Sequence, residues 1–230
     1  EDIETVYAQL GLDEPLVLPP KSTSFGEWIR NLPESNTVNQ PIVTLFPKPS
    51  ENRWIDSASV LRECQMELQP EEETLVLTGL AQTLGQFSRS SVLPIDLERH
   101  GRHPLYESTD LIRTVGWFTS LHSLHLKLPD AGLAVQRNYV QDKLQAIPPG
   151  QSGQVGPTAQ VSFNYLGNLN RSPGKLFNGL APEQLPCLNH PDNPRHYLLE
   201  IIAYRLDQSL KIIWRFHQKT HKKKTVQMLA

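Results

Sequence analysis

The sequence predicts an α/β fold, a two-layer sandwich of helices on a mixed β-sheet. Three observations carry that prediction. Apolar residues alternate at period two in several separate stretches, as strands require. Amphipathic helical patterns fall between them, at 74–87 and 133–147. The two kinds of element lack a strict strand–helix–strand rhythm, so parallel and antiparallel pairs are expected in one sheet. With 230 residues, 38% of them hydrophobic, the chain can build a substantial core, although 19 prolines imply many loops. No internal repeat is present.

Each element has its own signal. DIETVYAQL (2–10) reads as the end of a helix, and EPLVLPPKSTSF as an extended, proline-fixed linker. Ser22, Thr23 and Ser24 offer N-caps for a short helix, FGEWIRNL. Residues 33–53 are rich in proline and asparagine and read as loop. SASVLRECQMEL (57–68) alternates as a strand. Pro70 with Glu71, Glu72 and Glu73 marks a helix start, where carboxylates complement the helix dipole. That helix runs through 74–87, with Leu75, Leu80, Leu84 and Phe87 as its expected core face. SSVLPIDLE (90–98) and RTVGWFTSLHSLHLKL (113–128) are the next strands. LAVQRNYVQDKLQAI (133–147) is an amphipathic helix stopped by Pro148 and Pro149. AQVSFNYLGNLN (159–170) is a strand entering a polar turn. RHYLLEIIAYRLDQSLKIIWRFH (195–217) reads as a hairpin turning near Asp207, Gln208 and Ser209. THKKKTVQMLA (220–230) begins a final helix that is still periodic at its last residue.

Composition narrows the function. Lys and Arg number 22 against 24 Asp and Glu, so no global charge pulls the chain toward nucleic acid or anionic membrane. The longest apolar stretches, such as YLLEIIAY (197–204), are too short to span a bilayer, and EDIE at the start carries no signal pattern. Cys64 and Cys187 are far apart and lack metal-ligand spacing, which fits a cytoplasmic protein. No nucleophile elbow and no phosphate-binding glycine loop occur. HSLH (122–125) puts its histidines on opposite faces of a strand, so no metal is expected. HQKTHKKKT (217–225) is a local basic patch, read as the solvated start of the last helix.

Three stretches bear on chemistry. In IDLERHGRH (95–103) a strand ends on Glu98, two residues from His100, with Gly101 free to turn tightly. A carboxylate there can move a proton, or it can pair with Arg99 or Arg102 as the anchor of a turn. Local spacing favours the anchor. RTVGWFT (113–119) combines Arg113, a mid-strand Gly116, Trp117 and Phe118; taken by itself it says little about chemistry. VSFNYLG (161–167) sets Asn164 beside Tyr165 near a strand end. Both can donate to a developing oxyanion, or a buried Tyr hydroxyl and a turn Asn can be satisfied within the fold. Local physics favours the second.

Together and in this order, DLERHGRH (96–103), RTVGWFTSL (113–121) and VSFNYLG (161–167) resemble the C-terminal half of a nonribosomal peptide synthetase epimerization domain. LPPKSTSFGEW (18–28) is similar to the stretch joining that family's two lobes, TLVLTGLAQTLGQF fits as well, and so does the closing hairpin. The resemblance covers nearly the whole chain. It implies residues 1–32 as interlobe helix and linker and 33–230 as the C-terminal lobe, similar to chloramphenicol acetyltransferase. It implies inversion at Cα of an aminoacyl or peptidyl thioester on the phosphopantetheine arm of a peptidyl carrier protein, as in antibiotic biosynthesis. No cofactor of the chain's own is expected.

By motif, Glu98 would be the acid/base carboxylate, and Asn164 and Tyr165 would line the site with it. His100 and Arg102 match the middle of the family's Glu-Gly-His-Gly-Arg-Glu pattern, as does Gly101. Arg113, Trp117 and Thr119 would shape the tunnel wall and bind substrate. With the resemblance, the reading of Glu98 moves from anchor to catalyst. The chain departs from the pattern at Arg99 in place of Gly and His103 in place of the second Glu. Two regions, between QMEL and TLVLT and between QAIPPGQSG and FNYLG, are short for the family. The family's His-His-x-x-x-Asp-Gly motif belongs to the N-terminal lobe, and no His-His pair occurs here. The chain alone is therefore expected to be inactive, as one lobe of an enzyme whose other lobe is a partner; its helical start and cut-off last helix favour an excised fragment. A condensation-domain lobe and a noncatalytic carrier-binding lobe are the alternatives.

Overall fold

The computed structural model describes residues 45–47, 49–67, 71–102, 115–116, 118–147, 159–169, 189–206 and 208–230, all within the unit Pro41–Ala230. The helices expected at 2–10 and 25–32, and the linker between them, lie outside the described residues. So do Arg113, Trp117 and His103.

Among the described residues six strands form one sheet in the order β1-β6-β5-β4-β2-β3. They are β1 (Ser57–Gln65), β2 (Leu93–Arg99), β3 (Ser120–Leu126), β4 (Val161–Asn168), β5 (Leu199–Leu206) and β6 (Ser209–His217). β4 runs parallel to both β2 and β5, and the other pairs are antiparallel. The mixed α/β sheet is therefore as the alternation patterns predict. Among the described residues three α-helices accompany it: α1 (Glu72–Ser88), α2 (Leu133–Gln145) and α3 (Lys223–Leu229).

One face of the sheet is the core face. In β5 it carries Leu199, Ile201 and Ala203, and in β6 Trp214 and Phe216, which are their register partners or neighbours. In β2 it carries Leu93, Ile95 and Leu97, all almost fully buried. Helix α1 lays Leu77, Leu80, Ala81 and Leu84 on it, the i, i+3, i+4, i+7 spacing of a single stripe. This corrects the expected helix face. Leu75 is only half-buried, because it lies ~200° around the helix from Leu77. Phe87 is 40% exposed and meets the Phe46 ring at a centroid distance of 6.2 Å.

The strand expected over 113–128 is shorter. β3 begins only at Ser120, and the described residues just before it run as irregular chain against the turn at Gly101. The hairpin of β5 and β6 turns through Gln208, which takes a left-handed φ of 65°. Of the two histidines in HSLH, His122 stands opposite Leu97 on the core face and His125 opposite Pro94 on the other. Among the described residues no group of three metal-ligating side chains forms. No helix among them is long and apolar enough to cross a membrane.

The end of β6 buries two histidines. His217 sits 3.6 Å from Asp56, and His221 packs edge-on against Phe46. Burial, helped by the neighbouring His217, pulls the His221 imidazole down from 6.5 to about 4. A histidine depressed by folding binds its proton in the unfolded chain first. Its contribution is therefore fully present above pH ~6.5 and is lost as pH falls toward ~4. The loss is on the order of 3 kcal/mol. Urea midpoints measured at pH 7 and pH 4.5 are expected to differ less in His221→Gln than in the wild type.

Candidate active site at the β2–β4 junction

Strand alternation divides β2 into two sets of side chains. Leu93, Ile95 and Leu97 enter the core, so Asp96 and Glu98 project from the opposite, open face. The parallel ladder to β4 is short: Asp96 pairs with Ser162, Leu97 with Phe163, and Glu98 with Asn164. The last pair places two functional side chains side by side on the open face. Asn164 Nδ2 donates to Glu98 Oε2 at 2.7 Å. Both residues are half-buried, so the carboxylate is held but accessible. Its Oε1 accepts no hydrogen bond among the described residues.

The cations next to Glu98 in sequence are engaged elsewhere. Arg99 is on the core face, where Nη1 reaches Glu73 Oε2 of α1 at 2.8 Å. Burial there pushes the Glu73 carboxyl up, with Arg99 opposing. Arg102 lays its guanidinium 4.6 Å from the centre of the Phe118 ring and donates from Nη2 to the Gly116 carbonyl at 3.3 Å. These contacts replace the turn anchor that Arg99 or Arg102 was expected to form with Glu98.

Gly101 makes this arrangement possible. Its φ is +59°, and a Cβ there would lie 1.6 Å from the Phe118 carbonyl oxygen. Gly101→Ala is expected to cost at least ~1–2 kcal/mol from the left-handed backbone alone. The steric overlap adds to that and forces the 118–119 segment away. Thermal unfolding checks the stability loss, which should exceed that of Gly79→Ala, where a Cβ meets nothing within 4 Å.

The other expected site residues fall as follows. His100 is exposed, and its Nδ1 accepts from the Arg102 backbone N–H at 3.0 Å. Thr119 is half-buried, one residue before β3. Tyr165 does not join Glu98 and Asn164. As the next residue in β4 it faces the core side, and its hydroxyl donates to Glu72 Oε2 at 2.8 Å. Burial and that carboxylate push the phenol above its ordinary range. The pairing of Asn164 with Tyr165 along the sequence is thus split across the sheet.

Sequence reasoning passes over the residue directly below Glu98. Asp96 is 1% exposed and accepts from three chain segments. Ser123 Oγ of β3 donates at 2.5 Å, the Ala159 N–H at 3.2 Å and the Tyr197 hydroxyl at 3.1 Å. Period-two spacing in IDLE is the available signal, because it puts residues 96 and 98 on one face.

Comparisons with known proteins bear on what this geometry serves. No family model matches the chain. Chondramide synthase cmdD of Chondromyces crocatus is 30% identical over an alignment of 275 residues, covering all of this chain and 7% of that protein. Tyrocidine synthase 2 of Brevibacillus parabrevis is 26% identical, again over all of this chain and 8% of that protein. The chain thus spans only a small part of these relatives' length. Among solved structures, the epimerization domain from the third module of tyrocidine synthetase B superposes with a TM-score of 0.68 at 22% identity. That match covers 97% of this chain and 60% of that one. A mutant of the starter condensation domain of the rhizomide synthetase gives a TM-score of 0.54 at 12% identity, over 78% of this chain and 45% of that one. The fold is that of a chloramphenicol acetyltransferase-like lobe of such domains. Along its whole length the chain is similar to a part of these peptide synthetases, and its fold is that found in the epimerization and condensation domains among the solved structures.

Proposed function

We propose that the chain is the C-terminal lobe of an epimerization domain. It inverts the L configuration at Cα of an aminoacyl or peptidyl thioester to D, with Glu98 as an acid/base group. The observation that carries this reading is the Glu98–Asn164 pair, 2.7 Å apart on the open face of the sheet. A thioester acidifies its Cα–H. A carboxylate oxygen with no hydrogen bond among the described residues can take that proton, leaving an enolate, and a proton then returns on the other face. Asn164 holds the carboxylate in one orientation and lies where an amide donor can also face a developing oxyanion.

The second acid/base group comes from the histidine-motif lobe, so this lobe alone is inactive. The substrate arrives on the phosphopantetheine arm of a peptidyl carrier protein, and the lobe binds no cofactor of its own. The setting is the cytoplasm. His100, Arg102 and Thr119 contribute to the substrate side of the site, with Arg113 and Trp117.

The likeness to a starter condensation domain supports a second reading, peptide-bond formation between two carrier-bound substrates. One assay separates them. The complete two-lobe domain is given an L-aminoacyl thioester on its carrier in deuterated water. Deuterium at Cα with appearance of the D form supports epimerization. Amide product from two loaded carriers with no deuterium at Cα sinks that reading in favour of condensation. Carrier binding with neither product favours a noncatalytic carrier-binding lobe, in which the exposed Lys222, Lys223 and Lys224 would meet an acidic partner.

A further inference from the structure

We infer that Asp96 is a positioning residue for Glu98, acting by clamping the short β2–β4 ladder from its buried end. Glu98 owes its place opposite Asn164 to three residue pairs, the whole of the parallel pairing between β2 and β4. Three pairs are little to hold a register, and a one-residue slip would turn Glu98 into the core. Asp96 occupies the first of those pairs and Glu98 the last. Both project from the same face.

The side chain of Asp96 is almost fully enclosed, and it accepts from three separate segments. Ser123 ties it to β3, on the far side of β2. The Ala159 N–H ties it to the chain entering β4, and the Tyr197 hydroxyl to the chain entering β5. Burial and the Asp96 carboxylate push the Tyr197 phenol above its ordinary range, so it stays a donor. Asp96 thus fixes β2 laterally against its neighbours on both sides. The backbone donor of Ala159 cannot reorient, whereas the two hydroxyls can. An asparagine at 96 can therefore keep the clamp: its carbonyl faces Ala159 and Tyr197, and its amide donates to a rotated Ser123 hydroxyl. An alanine cannot.

The test has two readouts, and only the second rests on the epimerization reading. The first uses this chain and follows the Asn164 side-chain amide by NMR. In the wild type and in Asp96→Asn, that amide is expected to show slowed exchange with solvent and a hydrogen-bonded shift. In Asp96→Ala both are expected to be lost. If folded Asp96→Ala keeps the wild-type Asn164 signal, the inference is overturned. Should Asp96→Ala fail to fold, the double variant Ser123→Ala/Tyr197→Phe removes two of the three donors. It is expected to speed exchange at Asn164, and an unchanged signal there overturns the inference equally. The second readout is Cα proton exchange by the complete domain. Asp96→Ala, or the double variant in its place, is expected to lower kcat ~10²-fold with KM for the loaded carrier unchanged, and Asp96→Asn to restore it. A wild-type kcat in a variant that has lost the Asn164 signal overturns the positioning role. A wild-type domain that exchanges no Cα proton refutes epimerization instead, and the Asn164 readout then decides the role of Asp96 alone.

Discussion

Glu98→Gln in the complete two-lobe domain is expected to slow Cα proton exchange by ~10²–10⁴-fold, the usual contribution of a positioned acid/base group. The substitution isolates chemistry from structure. Glutamine matches glutamate in size, and its carbonyl oxygen can still accept from Asn164 Nδ2, the bond that measures 2.7 Å in the wild type. The half-buried position and the ladder to β4 are unaffected, so the urea midpoint should move little. What disappears is the capacity to take and return a proton. KM for the loaded carrier is expected to stay within a few-fold, placing the loss in kcat. The measurement is deuterium incorporation at Cα in single turnover. Exchange at the wild-type rate would remove Glu98 from the mechanism and leave its pairing with Asn164 as architecture.

The second large effect concerns stability. Arg205→Met is expected to destabilise the fold by ~3–5 kcal/mol, because it strands a buried carboxylate. Arg205 and Glu72 are each about 3% exposed. The guanidinium uses its donors fully. Nε and Nη2 reach Glu72 Oε1, Nη1 reaches the Met66 and Gln208 carbonyls at 2.9 and 3.1 Å, and Nη2 also reaches the Glu67 carbonyl at 3.3 Å. The first turn of α1, the end of β5, the turn into β6 and the chain leaving β1 all converge on one cation. The bond to Glu72 holds the Arg205 charge above its already high ordinary value. Pairing the substitution with Glu72→Leu removes the orphaned charge and should recover part of the loss. Recovery is incomplete, since three carbonyls and the Tyr165 hydroxyl lose their partners. Urea unfolding of the two variants checks both statements. A single variant within about 1 kcal/mol of wild type would mean that water reaches Glu72.

The same cluster explains why part of the site is not legible in the sequence. Local pattern makes Glu72 a helix-start carboxylate facing the dipole. It does lie in the first turn of α1, but its energetic partner is Arg205, 133 residues away. Tyr165 and Asn164 adjoin in the chain, which suggests one shared site. In a strand, adjoining residues face apart, and Glu72 on the core side supplies the acceptor that a buried phenol needs. Arg99 follows the same rule. One step along β2 from Glu98, it turns to the helix layer and Glu73. The departure from the family pattern at this position thus falls on the other side of the sheet from the carboxylate.

Other elements are legible because their causes are local. The hairpin over 195–217, the strand at 57–68 and the helix at 133–147 each carry a complete periodic pattern with its own stop signal, and they form nearly where expected. Gly101 stands out in the sequence as a turn residue, and its φ of +59° bears that out. The first part of 113–128 suggests strand because its aromatic and β-branched residues suit a sheet by composition. Phe118 instead presents its carbonyl to the Gly101 turn and its ring to Arg102.

The sequence by itself determined that a strand runs through Asp96 and Glu98 and that the two share a face, because alternation is a property of the local backbone. It also determined the mixed sheet and the family resemblance, through motif order. Only the tertiary structure decided which strand lies beside β2. Parallel pairing to β4, more than sixty residues on, rests on contacts between segments that no local period encodes. That choice put Asn164 against Glu98, sent Tyr165 to the opposite face, and gathered Ser123, Ala159 and Tyr197 around Asp96.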